Sequence, residues 1–237
     1  MTSLTLVVFS LLAGLLLWQF YRLTVACRRA NRVDWGRGWM NLLDGLNRLF
    51  CYRYHRLNVL GMRLPKQGPA IVVANHVSGL DPMLLLASAR RPLRFIIARE
   101  EYQRYGLNWL FRAIGCIPVD REKKPEQALR EALRCLRNGE VVALFPHGKI
   151  HLDSDPPRRI KAGAIRLSQI TGAPIVPHHI SGVRGEGGVI SGVLLRSHAR
   201  IKSTSPIYPE EWGREQLQAL VQAVLDNKSE DLESIAN

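Results

Sequence analysis

Asn75-His76-Val77-Ser78-Gly79-Leu80-Asp81-Pro82 sets an imidazole and a carboxylate close together, just after a short apolar run. A carboxylate beside an imidazole fixes its tautomer and stabilises the imidazolium that forms when a proton is taken, which makes the pair a general base. The stretch offers no local nucleophile, so the proton belongs to a hydroxyl supplied by a substrate. Such chemistry moves a group directly from donor to acceptor, without a covalent enzyme intermediate. The competing reading is an ordinary loop histidine beside an aspartate that only caps its helix, since short motifs match by chance.

The pair works only if the chain turns back on itself. On a single helix this spacing points the two side chains apart. Ile71-Val72-Val73-Ala74 is short, apolar and β-branched and reads as a buried strand. Ser78-Gly79 reads as a turn. Asp81-Pro82 reads as a helix start, with Asp81 at the N-cap and Pro82 in the first helical position, ahead of Met83-Leu84-Leu85-Leu86-Ala87. A strand end, a turn and a cap bring the two groups within hydrogen-bond reach.

Three further stretches follow in order: Gly115-Cys116-Ile117-Pro118-Val119-Asp120-Arg121, Leu144-Phe145-Pro146-His147-Gly148-Lys149 and Ala173-Pro174-Ile175-Val176-Pro177. The ordered set resembles the four blocks of the glycerolipid acyltransferase family, the 1-acylglycerol-3-phosphate acyltransferases and their relatives, over residues 55–205. The resemblance implies that His76 is the base and Asp81 its orienting carboxylate, with Asn75 holding the loop. It places Arg121 on the acceptor's phosphate, which a guanidinium fork suits; an ordinary surface arginine is the plain alternative. Phe145, Pro146, His147, Gly148 and Lys149 occupy the third block, on the acceptor side. No cofactor is implied: acyl-CoA or acyl carrier protein enters as the acyl-donor substrate.

The third block departs from its usual F-P-E-G-T-R pattern. His147 stands for the glutamate, Lys149 for the threonine and Ile150 for the arginine. Lys149 returns a positive charge, but as a point charge without a fork. The acceptor is then a lysophosphatidic acid held by Lys149, Arg121 and Arg158 or Arg159, or else a different lysolipid. A noncatalytic lipid-binding protein that kept the fold is the reading from another class. His147 and His151 have the spacing of paired metal ligands on a helix. Pro146, Gly148 and Asp153-Ser154-Asp155-Pro156-Pro157 indicate a loop instead, so no metal is expected there. His178 and His179 read as one inward and one outward residue of a strand.

Leu4 to Phe20 is almost wholly apolar and at the short end of a membrane span, with Trp18 and Tyr21 at its end like an interfacial aromatic pair. Arg22, Arg28, Arg29 and Arg32 follow, and no basic residue precedes it. The positive-inside rule then puts the catalytic domain in the cytoplasm. A basic n-region is missing, which argues against a cleaved signal peptide. Trp35, Trp39, Leu42, Leu43, Leu46, Leu49 and Phe50 recur at helical spacing between polar residues, as in a helix lying among lipid headgroups or packed on the core. The chain divides into an anchor (1–22), a basic amphipathic segment (23–54), an acyltransferase domain (55–228) and a polar tail (229–237).

A net charge of +13 implies an anionic partner. Beside an apolar anchor that partner is membrane lipid. No zinc spacing, DNA-reading helix or RNP-type aromatic pattern favours nucleic acid. The four cysteines show no paired spacing and fit reduced thiols. Strands read at 70–75, 93–98, 116–119, 141–145 and 174–180, and helices at 82–89, 107–114, 125–138 and 160–171. The alternation predicts an α/β fold with a mostly parallel central sheet flanked by helices. One or two further strands, including an edge, are expected within 194–207, and an amphipathic helix over 216–225. The glycines of 182–192 read as a flexible loop without a nucleotide-binding frame.

Overall fold

Every residue of β2 (Ala70–Ala74) is buried, as an unbroken apolar run requires of a strand covered on both faces. The computed structural model describes residues 2–61, 63–120, 125–152, 154–156, 159–211 and 213–225. Seven strands form one sheet: β1 (Asn58–Leu60), β2, β3 (Leu93–Ala98), β4 (Ile117–Val119), β5 (Val141–Leu144), β6 (Ile175–Ser181) and β7 (Arg200–Ser203). Their order is β1-β7-β6-β2-β5-β3-β4, and every pairing is parallel except that of β6 with β7. β2 therefore lies in the middle, between β6 and β5.

The helices are α1 (Thr2–Ala30), α2 (Gly38–Leu49), α3 (Asp81–Ser88), α4 (Arg99–Tyr102), α5 (Asn108–Ile114), α6 (Pro125–Arg137), α7 (Gly163–Thr171), α8 (Ile190–Leu194) and α9 (Arg214–Leu225). One π-helical turn, Phe50–Tyr54, extends α2. Alternate residues of β2 serve different layers. Val72 and Ala74 pack with Leu84, Leu85 and Leu93; Ile71 and Val73 pack with Ala132, Leu136, Ile165 and Leu167. Gly115 and Gly172 end α5 and α7 in the left-handed conformation, where glycine carries no steric cost.

The strands and helices expected along 70–181 are all present, with α7 starting three residues later than predicted, at Gly163. The sheet edges differ. β7 was expected at an edge, but it lies between β6 and β1, and β1 takes the edge. β1 is only three residues long, too short for an alternation to announce it. His178 and His179 are both buried rather than split inward and outward, because helices or loops cover both faces of β6.

α2 also departs from its sequence reading. Its polar residues Asp44 and Arg48 are buried, whereas Trp39 and Leu46 are exposed. Arg48 is paired with Asp44 at 2.6 Å and donates to the carbonyls of Ala87 and Ala89, at the C-terminus of α3. A cation there satisfies orphan carbonyls and complements the helix dipole. Asp44 and Arg48 of α2 thus pack on the domain, Trp39 and Leu46 are left outward, and Leu42, Leu43 and Leu49 are half-buried. α1 continues past the expected anchor boundary at residue 22, and its Thr5–Ala30 stretch is long and apolar enough to cross a membrane. α2 meets it at Gly45, whose missing side chain lets the helix approach the Cys27 carbonyl.

His178 carries a stability prediction. Its Nδ1–H donates to the Val176 carbonyl at 2.8 Å, and burial pushes its pKa down to about 4. An unfolded histidine titrates near 6.5. Below that pH the unfolded chain takes the proton while the folded chain refuses it until about pH 4. Stability from this residue is therefore complete above the unfolded value and is lost as the pH falls between the two, at about 1.4 kcal/mol per unit. Urea titrations at pH 7 and pH 5 should show wild type losing about 2 kcal/mol more than His178→Gln; equal losses would remove His178 as the cause.

Candidate active site

The Nδ1 of His76 lies 2.8 Å from the Asp81 carboxylate. That carboxylate is fully buried, whereas the imidazole remains 20 % exposed. Asp81 Oδ2 also accepts the backbone N–H groups of Val77 (2.6 Å) and Ser78 (2.9 Å), and Oδ1 accepts the Ser78 hydroxyl (2.9 Å). A carboxylate only accepts hydrogen bonds, so Nδ1 must carry the proton. Nε2 is then the basic nitrogen of the pair.

Strand, turn and helix place the pair as the sequence predicts, with one difference in detail. Asp81 is not the N-cap of α3. The cap position is Leu80, and no side chain caps it. Asp81 occupies the first helical position and turns back to close the 76–81 loop instead of satisfying the helix. This disposes of the plain capping reading. The backbone N–H groups around the helix start are also already bonded within the protein. The Val77 and Ser78 N–H groups are bound to Asp81, Gly79 N donates to Gly188 O, and Leu80 N to Ser78 Oγ. Met83 and Leu84 donate to Leu80 O. Ser78 is fully buried, its hydroxyl held by Asp81, so it is no rival nucleophile.

Asn75 anchors the loop to the sheet. Its amide donates to Ile180 O at 2.9 Å and accepts from Ile180 N at 2.6 Å. The side chain thereby extends the ladder between β2 and β6 by one step and faces the protein rather than an acceptor.

The third block arrives beside the first. Phe145 stacks on His76 with ring centroids 4.2 Å apart, and Phe95 backs Phe145 at 6.2 Å. His151 N donates to His76 O at 2.7 Å. His147 is buried, its ring 4.8 Å from that of His151, in a turn rather than a helix. Gly148 makes the turn at φ +76°, and Lys149 is exposed. Pro146 and Gly148 join Phe145 on the wall of a cavity of about 480 Å³. The rest of that wall includes apolar Ile96, Val119 and Leu129, the cations Lys161, Arg166 and Arg214, and one acid, Glu126. Arg121 and Arg158 lie outside the described residues, and Arg159 is exposed. The cavity opens at the C-terminal ends of β3, β4 and β5, the edge where parallel sheets bind ligands.

Sequence reasoning did not find the cover of the site. The glycine-rich loop, read as flexible, lies against the 76–81 turn: Gly187 N donates to Val77 O, and Gly188 O accepts from Gly79 N. A side chain at Gly79 would meet the Val189 carbonyl, and one at Gly192 would come 2.7 Å from Ser78 Cβ. Only the number of glycines hinted at so close an approach. Lys161, Arg166 and Arg214 had no signal beyond the general basic charge.

The family model described as Acyltransferase matches residues 56–181. A probable 1-acyl-sn-glycerol-3-phosphate acyltransferase of Mycoplasma genitalium is 32% identical over 149 residues, covering 60% of this chain and 54% of the relative. An N-acylphosphatidylethanolamine synthase of Arabidopsis thaliana is 32% identical over 123 residues, covering 48% and 43%. The chain thus spans about half the length of the curated relatives it matches. The crystal structure of the 1-acyl-sn-glycerophosphate acyltransferase PlsC from Thermotoga maritima superposes with a TM-score of 0.64 at 25% identity, covering 85% of this chain and 83% of that one. A family match over residues 56–181, more than half the chain and a stretch that contains His76, Asp81 and the third-block turn, makes this chain a member of the acyltransferase family.

Proposed function

We propose that the protein transfers a fatty acyl group from a thioester, acyl-CoA or acyl carrier protein, to the free hydroxyl of 1-acylglycerol 3-phosphate, giving phosphatidic acid. The observation that carries this reading is His76, protonated on Nδ1 by its bond to Asp81 and partly open on its other side. Nε2 takes the hydroxyl proton as the oxygen attacks the thioester carbonyl. The new ester C–O bond forms, the C–S bond breaks, and the proton leaves with the thiolate. Phe145 limits rotation of the imidazole, and Asp81 stabilises its charged form.

The cavity beside Phe145 suits the acceptor. Lys161, Arg166 and Arg214 outnumber the single acid Glu126 and meet a phosphate, and the apolar wall meets lipid carbon. α1 enters the membrane as an anchor, the arginines after Phe20 keep the domain on the cytoplasmic side, and the outward apolar face of α2 rests on the bilayer. The lysolipid then reaches His76 without leaving the membrane surface.

A second acceptor reading has its own support. The position of the usual glutamate is held by a buried His147, and one relative is named for a different acyl product. Thiol release by the full chain in detergent, with lysophosphatidate and with headgroup-bearing lysolipids, decides between them. Lysophosphatidate should give the highest kcat/KM, and Arg166→Ala should raise its KM about 10–100-fold, the loss of one charge-assisted contact. Better turnover of a headgroup-bearing lysolipid favours the second reading. No turnover of any acceptor makes the chain a lipid-binding protein.

A further inference from the structure

A second cavity, of about 860 Å³, lies at the opposite edge of the sheet from His76. Its wall is formed by the end of α1, the α2 extension, and the loops leading into β2 and β3. Six cationic side chains line it, Arg32, Arg48, Arg53, Lys66, Arg90 and Arg91, and no acidic residue does. Two of the six are fixed. Arg48 is held by Asp44 and the end of α3, and Arg91 donates to the carbonyls of Pro65 and Gly139 at 3.0 and 2.6 Å. The other four are exposed, and their side chains make no hydrogen bond or ion pair among the described residues. Tyr52 stands among them: burial pushes its phenol pKa up, and Arg48, Arg32 and Arg90 oppose that shift. So much like charge around one hollow is costly unless an anion occupies it.

We infer that this cleft seats the phosphate of an acidic phospholipid drawn from the bilayer that α1 enters. The inference rests on the anchor reading above. It concerns a lipid other than the substrate, because the cleft lies at the N-terminal ends of the strands. β2 alone spans about 16 Å between that edge and His76, whereas the acceptor's phosphate is only a few bonds from its reacting hydroxyl.

The placement favours a lipid over a soluble anion. α1 and α2 run antiparallel, with Asn31 bonded to Asn41 O and Cys27 against Gly45. α2 therefore carries Tyr52 and Arg53 back toward the level of Arg22, where the apolar run ends. Ala30, on the opposite wall, lies about 12 Å further along α1 at ~1.5 Å per residue. The cleft thus begins where hydrocarbon gives way to headgroups, which form a layer about 5–8 Å deep on each side.

The test compares the wild-type full chain in neutral detergent with Arg53→Gln/Arg90→Gln and with Arg53→Lys/Arg90→Lys. Native mass spectrometry reads retained phosphatidylglycerol, and lysophosphatidate turnover reports that the fold is intact. Wild type and the lysine variant should retain the lipid. The glutamine variant should bind it about 30-fold more weakly, roughly fivefold per cation removed, with turnover unchanged. Equal retention by all three proteins overturns the inference. Displacement of the lipid by low inorganic pyrophosphate also overturns it, assigning the site to a soluble polyphosphate. Sedimentation with pure phosphatidylcholine vesicles isolates the anchor: all three should co-sediment, and failure of all three removes the anchor and the lipid source with it.

Discussion

His76→Ala should lower kcat for acyl transfer by about 10²–10⁴-fold, the usual contribution of a positioned general base. Acceptor KM should change little, because on the proposed mechanism the imidazole acts on the hydroxyl proton while the cavity beside Phe145 supplies the binding surface. The fold should tolerate the change. His76 lies at a loop, is 20 % exposed in its side chain, and gives the scaffold one bond through Nδ1. Asp81 keeps three other hydrogen bonds when that one is lost. A melting curve recorded beside the kinetics separates lost chemistry from lost structure. Retention of kcat within about threefold would mean that a different group takes the proton.

The His76–Asp81 contact was legible because its geometry is local. A buried strand, a Ser-Gly turn and an Asp-Pro helix start leave the chain little choice but to fold His76 and Asp81 together. The central strands were legible for a related reason: runs such as Ile71–Ala74 and Val141–Leu144 are apolar on both faces and must be covered twice. What escaped depends on partners distant in sequence. Asp44 and Arg48 look like a solvated face until the carbonyls at the end of α3, some 40 residues on, give them a reason to be buried. The glycines of 182–192 look loose until the 76–81 turn packs against them and leaves no room for a side chain at Gly79 or Gly192. Helical periodicity gives the direction of the α2 stripe but not which side meets the protein. Here an ion pair seated on a helix terminus decides it, leaving Trp39 and Leu46 outside.

Asp81 has two functions, and a pair of substitutions separates them. On the proposed mechanism its carboxylate orients and polarises His76, and it also closes the loop through Val77 N, Ser78 N and Ser78 Oγ. Asp81→Asn keeps the shape. Its amide oxygen can replace Oδ2 toward the three N–H donors, and its amide nitrogen can donate to a Ser78 hydroxyl that now accepts. The negative charge that stabilised the imidazolium is gone. The expected result is a melting temperature within a few degrees of wild type and a kcat lower by up to about 10⁴-fold, as an asparagine in this role costs a serine-protease triad. Asp81→Ala also strands buried donors. At about 1–3 kcal/mol for each unsatisfied group, two N–H groups alone cost roughly 2–6 kcal/mol, a large part of a domain's total stability. That variant should lose both fold and activity. If the asparagine variant instead turns over within about threefold of wild type, the charge contributes nothing, and Asp81 is a loop staple whose proximity to His76 only fixes the ring.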